Sequence, residues 1–208
     1  MKSPASEYLF ASACCKFFST IIYNKPTNFI DSIRNFDFEC FWPSYSTEQK
    51  ATLNNIRVAL DSENNDEINL DYFNLFVGNF RKLSYPWGSV YTDRDNLLFG
   101  DTERNFKKFC IKKKILIKSP YNEPYDHIGI ILLSLSILFE RASSNFLLND
   151  INELLESHLL PWFYRFITLM KENASTLFYR SIATLLEQFI YFWEQELEID
   201  VNYPRLYK

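Results

Sequence analysis

Apolar side chains recur at intervals of three and four residues along almost the whole chain, and that period commits it to α-helix. Phe10, Ala13, Cys14, Phe17, Phe18, Ile21 and Ile22 form one such stripe. Ser3-Pro4 ahead of it suits a helix start. Ser46-Thr47-Glu48-Gln49 reads as a capping box before Leu53, Ile56 and Leu60. Ile68, Tyr72, Leu75 and Phe76 share a third face, which Gly78 is placed to stop. Asp101 can cap a helix over about 102–113, and Pro124 suits the first turn of the next. That next helix carries Ile128 to Phe139, apolar nearly all round, and so should run through the core. Ile151, Leu154, Leu155 and His158 begin another, which Pro161 breaks or restarts. Leu177 to Trp193 form a long final helix before a tail. Strand signals do not compete: there are four Val, four Gly and no Asn-Gly or Asp-Gly hairpin turn. The expectation is an all-α, single-domain helical bundle over residues 1–208.

One stretch breaks the period. Residues 79–100 contain Tyr85-Pro86-Trp87-Gly88-Ser89-Val90-Tyr91 and sustain no helical spacing, so they read as a long aromatic-rich loop. Loops of that length tend to be functional or disordered, and this one is too apolar for disorder. All four glycines, Gly78, Gly88, Gly100 and Gly129, fall within residues 78–129. Glycine serves ordinary turns and helix stops, but its clustering favours a shaped site.

Composition narrows the function classes. Net charge is −4, which argues against a nucleic-acid partner. The densest basic run, Lys107-Lys108 with Lys112-Lys113-Lys114, reads as a solvated face with cations at a helix C-terminus. Cys14, Cys15, Cys40 and Cys110 make no CxxC pair and no disulfide framework, which suits buried thiols in a reducing compartment. Glu7 and Lys16 interrupt the first apolar stretch, so it is no signal peptide. The longest uncharged apolar run, Ile128 to Phe139, is far short of the ~20 residues a membrane span needs. A cytoplasmic protein that is not membrane-inserted is expected. No Gly-rich phosphate loop, GxSxG or HExxH pattern is present, and His127 and His158 are the only histidines. No catalytic residue, metal site or cofactor is expected.

Tyr85-Pro86-Trp87-Gly88-Ser89-Val90-Tyr91, Asp93-Arg94 and Leu98-Phe99-Gly100-Asp101 occur in that order. Asn122-Glu123-Pro124-Tyr125-Asp126-His127 and His158-Leu159-Leu160-Pro161-Trp162 follow. Together with Leu75-Phe76-Val77-Gly78 and the closing Pro204 and Leu206, this set resembles the DmsD/TorD family of redox-enzyme maturation proteins, most nearly its DmsD branch. The likeness runs over residues 70–208 and is weak before them. It implies an all-helical chaperone, not an enzyme, that binds the twin-arginine leader of a molybdenum reductase catalytic subunit. Such proteins serve maturation and export of dimethyl-sulfoxide-reductase-like enzymes, and the resemblance implies translocase components as further partners. The resemblance carries leader-binding positions onto Leu75, Phe76, Trp87, Asp126 and His127. Tyr72 and Phe80 stand where the family has tryptophans, so the surface stays aromatic but the indole donors are lost.

A twin-arginine leader is cationic at one end and apolar beyond it. Tyr72, Leu75, Phe76, Phe80, Trp87 and Tyr91 would supply an apolar groove, and Asp126, with Glu123 or Asp93, would meet the arginines. Asp126 alone is equally well explained as a first-turn carboxylate that the helix dipole favours, and His127 as a neutral, hydrogen-bonded core group. The alternatives are a nucleotide-binding switch, or a chaperone for a trimethylamine-oxide or nitrate reductase.

Overall fold

A computed structural model of the chain describes residues 4–42, 46–117 and 123–208, with the backbone alone for Glu39 and Cys40. Ser3, Asn122 and the Cys40 side chain, named above, lie outside the described residues. In chain order the helices are α1 (Pro4–Tyr23), α2 (Ile30–Arg34), α3 (Phe38–Phe41), α4 (Thr47–Ser62), α5 (Asn65–Tyr72), α6 (Gly88–Thr92), α7 (Asp101–Lys112), α8 (Ile128–Asn145), α9 (Asn149–Leu154), α10 (Leu160–Asn173) and α11 (Leu177–Glu196). The described residues form no strands, so the all-α expectation holds. π-helical turns, Phe73–Val77 and Leu155–Leu159, continue α5 and join α9 to α10.

The chain divides into two compact units, each assembled from separated stretches. The first comprises Met1–Tyr23, Pro86–Phe163 and Leu197–Lys208. Its centre is the pairing of α1 with α8. Tyr8 meets Phe139 and Phe146 at one end and Tyr23 meets His127 at the other, so the two helices run antiparallel. Between them Ser19 Oγ donates to the Gly129 carbonyl at 2.7 Å. A Cβ at Gly129 would lie 2.8 Å from Cβ of Tyr23, so glycine sets how closely the helices approach. Cys14, Cys15, Phe18, Ile21 and Ile22 of α1 are fully buried, as are Ile128, Ile131, Leu132, Leu135 and Phe139 of α8. Each such aliphatic or aromatic side chain contributes ~1.5–3 kcal/mol by leaving water. Burial also raises the pKa of the Cys14, Cys15 and Cys110 thiols, which makes them poor nucleophiles.

The second unit comprises Asn24–Tyr85 and Tyr164–Glu196. Here α4 packs on α11, with Leu53, Ile56 and Leu60 buried on one helix and Ile182, Leu185 and Leu186 on the other. The free N–H groups that open α11 are held by two distant carboxylates. Asp71 accepts from Ser175 N at 3.1 Å, Thr176 N at 2.8 Å and Thr176 Oγ1 at 2.5 Å. Glu63 accepts from Leu177 N at 2.5 Å and Phe178 N at 3.1 Å.

Several helix ends differ from expectation. Ser46 does cap α4 by accepting from Gln49 N at 3.1 Å, but the reciprocal capping box belongs to Asn64 and Glu67, ahead of α5. Gly78 ends its helix as expected, with φ +42° and a donor to the Phe73 carbonyl. Asp101 is the first residue of α7 rather than its cap, which falls on Gly100. The 79–100 stretch is not wholly irregular, because α6 occupies its middle. Helix α8 begins four residues after Pro124, with His127 as its cap. Asp126 therefore precedes the helix and is no first-turn carboxylate.

Candidate functional site

Within the first unit, two short segments pair antiparallel. Gly88 N donates to the Asp126 carbonyl at 3.1 Å and Ile128 N to the Pro86 carbonyl at 2.7 Å, which sets Trp87 opposite His127. The aromatic loop and the start of α8 thus share a miniature ladder, as an isolated pair of extended residues can when both ends are anchored. Gly88 is needed there: a Cβ would come 2.6 Å from the Trp162 indole nitrogen.

Three of the expected residues meet at this ladder. Asp126 is fully buried, and its Oδ2 accepts from Ser89 N at 2.5 Å, at the N-terminus of α6. Its Oδ1 is buried and accepts no hydrogen bond. Burial raises the carboxyl pKa above the usual range, the hydrogen bond from Ser89 opposes the rise, and the Glu103 carboxylate adds to it. His127 Nδ1 accepts from Gly129 N at 3.0 Å, capping α8. Its ring stands edge-on to Tyr23 at 4.9 Å and Trp87 at 5.8 Å, and burial pulls its pKa down to about 3, so it is neutral. Trp87 Nε1 donates to Glu123 Oε2 at 3.1 Å. Tyr91 turns to Trp162 instead, stacked at 5.6 Å, and its carbonyl accepts from Tyr207 N at 2.9 Å.

The second unit holds the other four. Tyr72 and Phe76 touch each other at 5.5 Å between ring centres, and Phe76 also meets Tyr179 and Phe166. Leu75 is fully buried, and its carbonyl accepts from Ser84 N at 2.9 Å. These three side chains therefore face a core. Phe80 is the opposite case, with its whole side chain exposed. Leu70, Phe73 and Val77 join it as exposed apolar residues, at spacings of three, four and three. The π-helical turn after α5 carries Phe73 and Val77 and places an extra residue in that turn. Of the eight residues expected from sequence, Phe80 alone is openly available. Leu70, Phe73 and Val77 escaped the sequence reading although their spacing was there to see.

Each unit also carries a cleft. In the first, a cleft of about 480 Å³ sets Asp93, Asp101 and Glu156 beside Pro161, Trp162 and Pro204. Asp93 Oδ1 accepts from Asp95 N at 2.9 Å, and Asp101 pairs with Arg104 at 2.5 Å. In the second, a cleft of about 1060 Å³ sets Arg34, Lys50 and Arg57 beside Phe36, Phe38 and Trp42, with Asp37 as its one carboxylate. The first suits cationic groups and the second anionic ones. Among the described residues, no three His, Cys, Asp or Glu side chains gather into a metal-binding group.

Comparison with known proteins adds a family. Residues 43–168 match the profile of the nitrate reductase delta subunit family. Over 179 residues the chain is 27% identical to the Tat proofreading chaperone DmsD of Salmonella paratyphi A, covering 86% of this chain and 84% of that one. It is 29% identical over 137 residues to the probable Tat proofreading chaperone DmsD of Haemophilus influenzae, covering 66% and 65%. The chaperone protein TorD of a Shewanella strain is 28% identical over 169 residues, covering 76% of this chain and 79% of its own.

Proposed function

Because the chain belongs to the nitrate reductase delta subunit family, we propose that it is a DmsD/TorD-type chaperone that binds a twin-arginine leader and works without turnover. The observation that carries this reading is the likeness to a Tat proofreading chaperone over 86% of the chain. The client is the catalytic subunit of a dimethyl-sulfoxide-reductase-like molybdoenzyme, bound in the cytoplasm before export, with translocase components as later partners.

The geometry supports a division of labour among the eight residues. Phe80, with Leu70, Phe73 and Val77, offers exposed apolar surface to the leader's apolar region. Tyr72, Leu75 and Phe76 act from the core of the second unit, and in the first unit Tyr91 acts from the core while Trp87, Asp126 and His127 hold the paired segments in shape. Asp126 is fully buried, so a direct contact with leader arginines would require the 86–88 and 126–128 ladder to open. The cleft bearing Asp93, Asp101 and Glu156 is an acidic surface that needs no such opening. Covering four exposed apolar side chains yields at most ~6–12 kcal/mol gross, against an association cost of ~4–15 kcal/mol. Charge-assisted hydrogen bonds to the arginines, ~1.5–3 kcal/mol each, therefore decide whether binding is useful.

Titration calorimetry with a synthetic twin-arginine leader tests the reading. Saturable binding that weakens when both arginines become glutamine is expected. Absence of binding to leaders of all three reductase classes would sink it. The cationic cleft of the second unit favours one other reading, an anionic ligand with a flat ring such as a nucleoside triphosphate. Calorimetry with that ligand and an Arg57→Glu variant separates the two.

A further inference from the structure

The basic run of α7 does not serve the proposed leader site, yet the fold gathers apolar residues around it. Arg141 donates from both terminal guanidinium nitrogens to the carbonyls of Lys113 and Lys114, at 2.7 and 2.9 Å, which ties the end of α7 to the last turns of α8. Lys113 also bridges to Asp150 and, at 2.7 Å, to Glu153 of α9. The end of α7, the turn after it and the α8–α9 junction are therefore one surface. Ile111, Leu116, Phe146 and Leu147 lie on these segments, at 71%, 90%, 56% and 66% exposure.

Two further features mark the patch. Lys114 and Phe146 both adopt left-handed backbone, with φ +53° and +57°. A bulky residue meets that strain only where something compensates it, and a helix end normally uses Gly or Asn instead. Here the strained phenylalanine closes α8 with one side of its ring against Tyr8 and more than half of the residue exposed. The local charge also departs from that of the chain. Residues 107–116 and 140–153 carry six cations, Lys107, Lys108, Lys112, Lys113, Lys114 and Arg141, against the carboxylates Glu140, Asp150 and Glu153. The whole chain carries −4. Lys108 and Lys114 have no carboxylate partner among the described residues.

We propose that this patch docks the protein reversibly on an anionic lipid bilayer. Leu116, Phe146, Leu147 and Ile111 would enter the interfacial region, while Lys108, Lys114 and their neighbours meet lipid phosphates. A weak apolar anchor and a basic cluster together give the two signals that peripheral attachment requires. Charge complementarity and the aliphatic groups together single out this occupant, since nucleic acid offers no apolar phase to Ile111, Leu116 and Leu147. The contact is peripheral: α8, the one described helix long and apolar enough to cross a bilayer, is mostly buried in the protein.

The test is co-sedimentation of the full chain with phosphatidylglycerol–phosphatidylethanolamine vesicles and with phosphatidylcholine vesicles. Binding to the anionic vesicles alone is expected, with at least a tenfold loss in Leu116→Ser/Leu147→Ser and in Lys108→Glu/Lys114→Glu. High salt should release the wild type. Leu98→Ser, which changes an exposed leucine outside the 107–116 and 140–153 segments, should bind as wild type does. All altered side chains are solvent-facing, and a thermal melt of each variant checks that it folds. The proposal is overturned if the wild type stays in the supernatant or if both double variants sediment as it does. It is equally overturned if the serine variant only converts a dimer to a monomer in light scattering, or if duplex DNA competes through the same lysines without any vesicle binding.

Discussion

Removing the Asp126 side chain separates a residue that holds the site from one that touches its ligand. In Asp126→Ala, the Ser89 N–H loses its acceptor at 2.5 Å. Asp126 is fully buried, so water does not readily replace that acceptor. A buried donor left unsatisfied costs ~1–3 kcal/mol, which for a chain of this size lowers the melting temperature by roughly 2–4 °C per kcal/mol. Asp126→Asn should behave differently. Its amide oxygen can still accept from Ser89 N, while its NH2 brings an unpartnered donor to the buried Oδ1 position, a cost set against the carboxylate charge that is removed. It also removes a carboxylate whose ionisation burial disfavours. We therefore expect a change within about 1 kcal/mol, the size of one ordinary hydrogen bond. The two proteins should diverge with pH. The wild-type carboxyl has a raised pKa in the folded state, so its stabilising contribution is complete below the ordinary carboxylate range and is lost as pH rises through the folded value. The asparagine variant lacks this loss and should gain on wild type as pH increases from about 4. Urea denaturation at several pH values measures this, with leader calorimetry on the same samples. If Asp126→Ala melts as wild type does, while leader affinity falls tenfold in both variants, the buried-brace argument is wrong and the carboxylate reads the arginines directly.

Other substitutions separate surface from core. Phe80→Ser should weaken leader binding by ~1–2 kcal/mol, part of the value of burying a phenylalanine, with stability within ~0.5 kcal/mol. Phe76→Ala should instead cost ~3–5 kcal/mol of stability, and calorimetry beside thermal melting checks both. Gly88→Ala must push a Cβ against the Trp162 indole, 2.6 Å away, and should destabilise by ~1–3 kcal/mol, seen as a lower urea midpoint. Burial pulls His127 to about 3 and His158 to about 4. With both folded pKa values below the ordinary ~6.5, their contribution is complete above pH 6.5 and is lost as pH falls from there. His158→Gln should flatten part of that acid limb in a denaturation series.

The helices were legible because their apolar periods survive in the packed structure. Ile128 to Phe139 reads as a core helix and is one, since its only polar side chains, Ser134 and Ser136, donate back to the helix's own Ile130 and Leu133 carbonyls. Helix starts were less legible, because caps are decided by tertiary partners. The N-terminus of α11 is held by Asp71 and Glu63, more than a hundred residues away, and no local pattern encodes that. The site divides on the same ground. Spacing groups Tyr72, Leu75 and Phe76 on one face correctly, but not whether that face meets a core or a ligand. Tyr179 and Phe166, remote in sequence, are what pack against Phe76 and bury it. The π-helical turn also shifts the phase, so the stripe through Leu70, Phe73, Val77 and Phe80 looks outward. Two compact units interleaved from five stretches leave no linker for composition to reveal.

The pairing of α1 with α8 bears on how the protein reaches this state. The Ser19–Gly129 bond spans 110 residues, and the two stripes it joins are among the most apolar in the chain. Loop closure over that distance must precede any gain from burying them, so this all-helical protein should fold more slowly than helical bundles built from neighbouring hairpins. Until α8 is made and finds it, α1 presents Cys14, Cys15, Phe18 and Ile22 to water, and that interval is when a nascent chain is most open to aggregation. A protein proposed to shelter another's leader thus carries its own period of exposure, set by the distance in sequence between its two central helices.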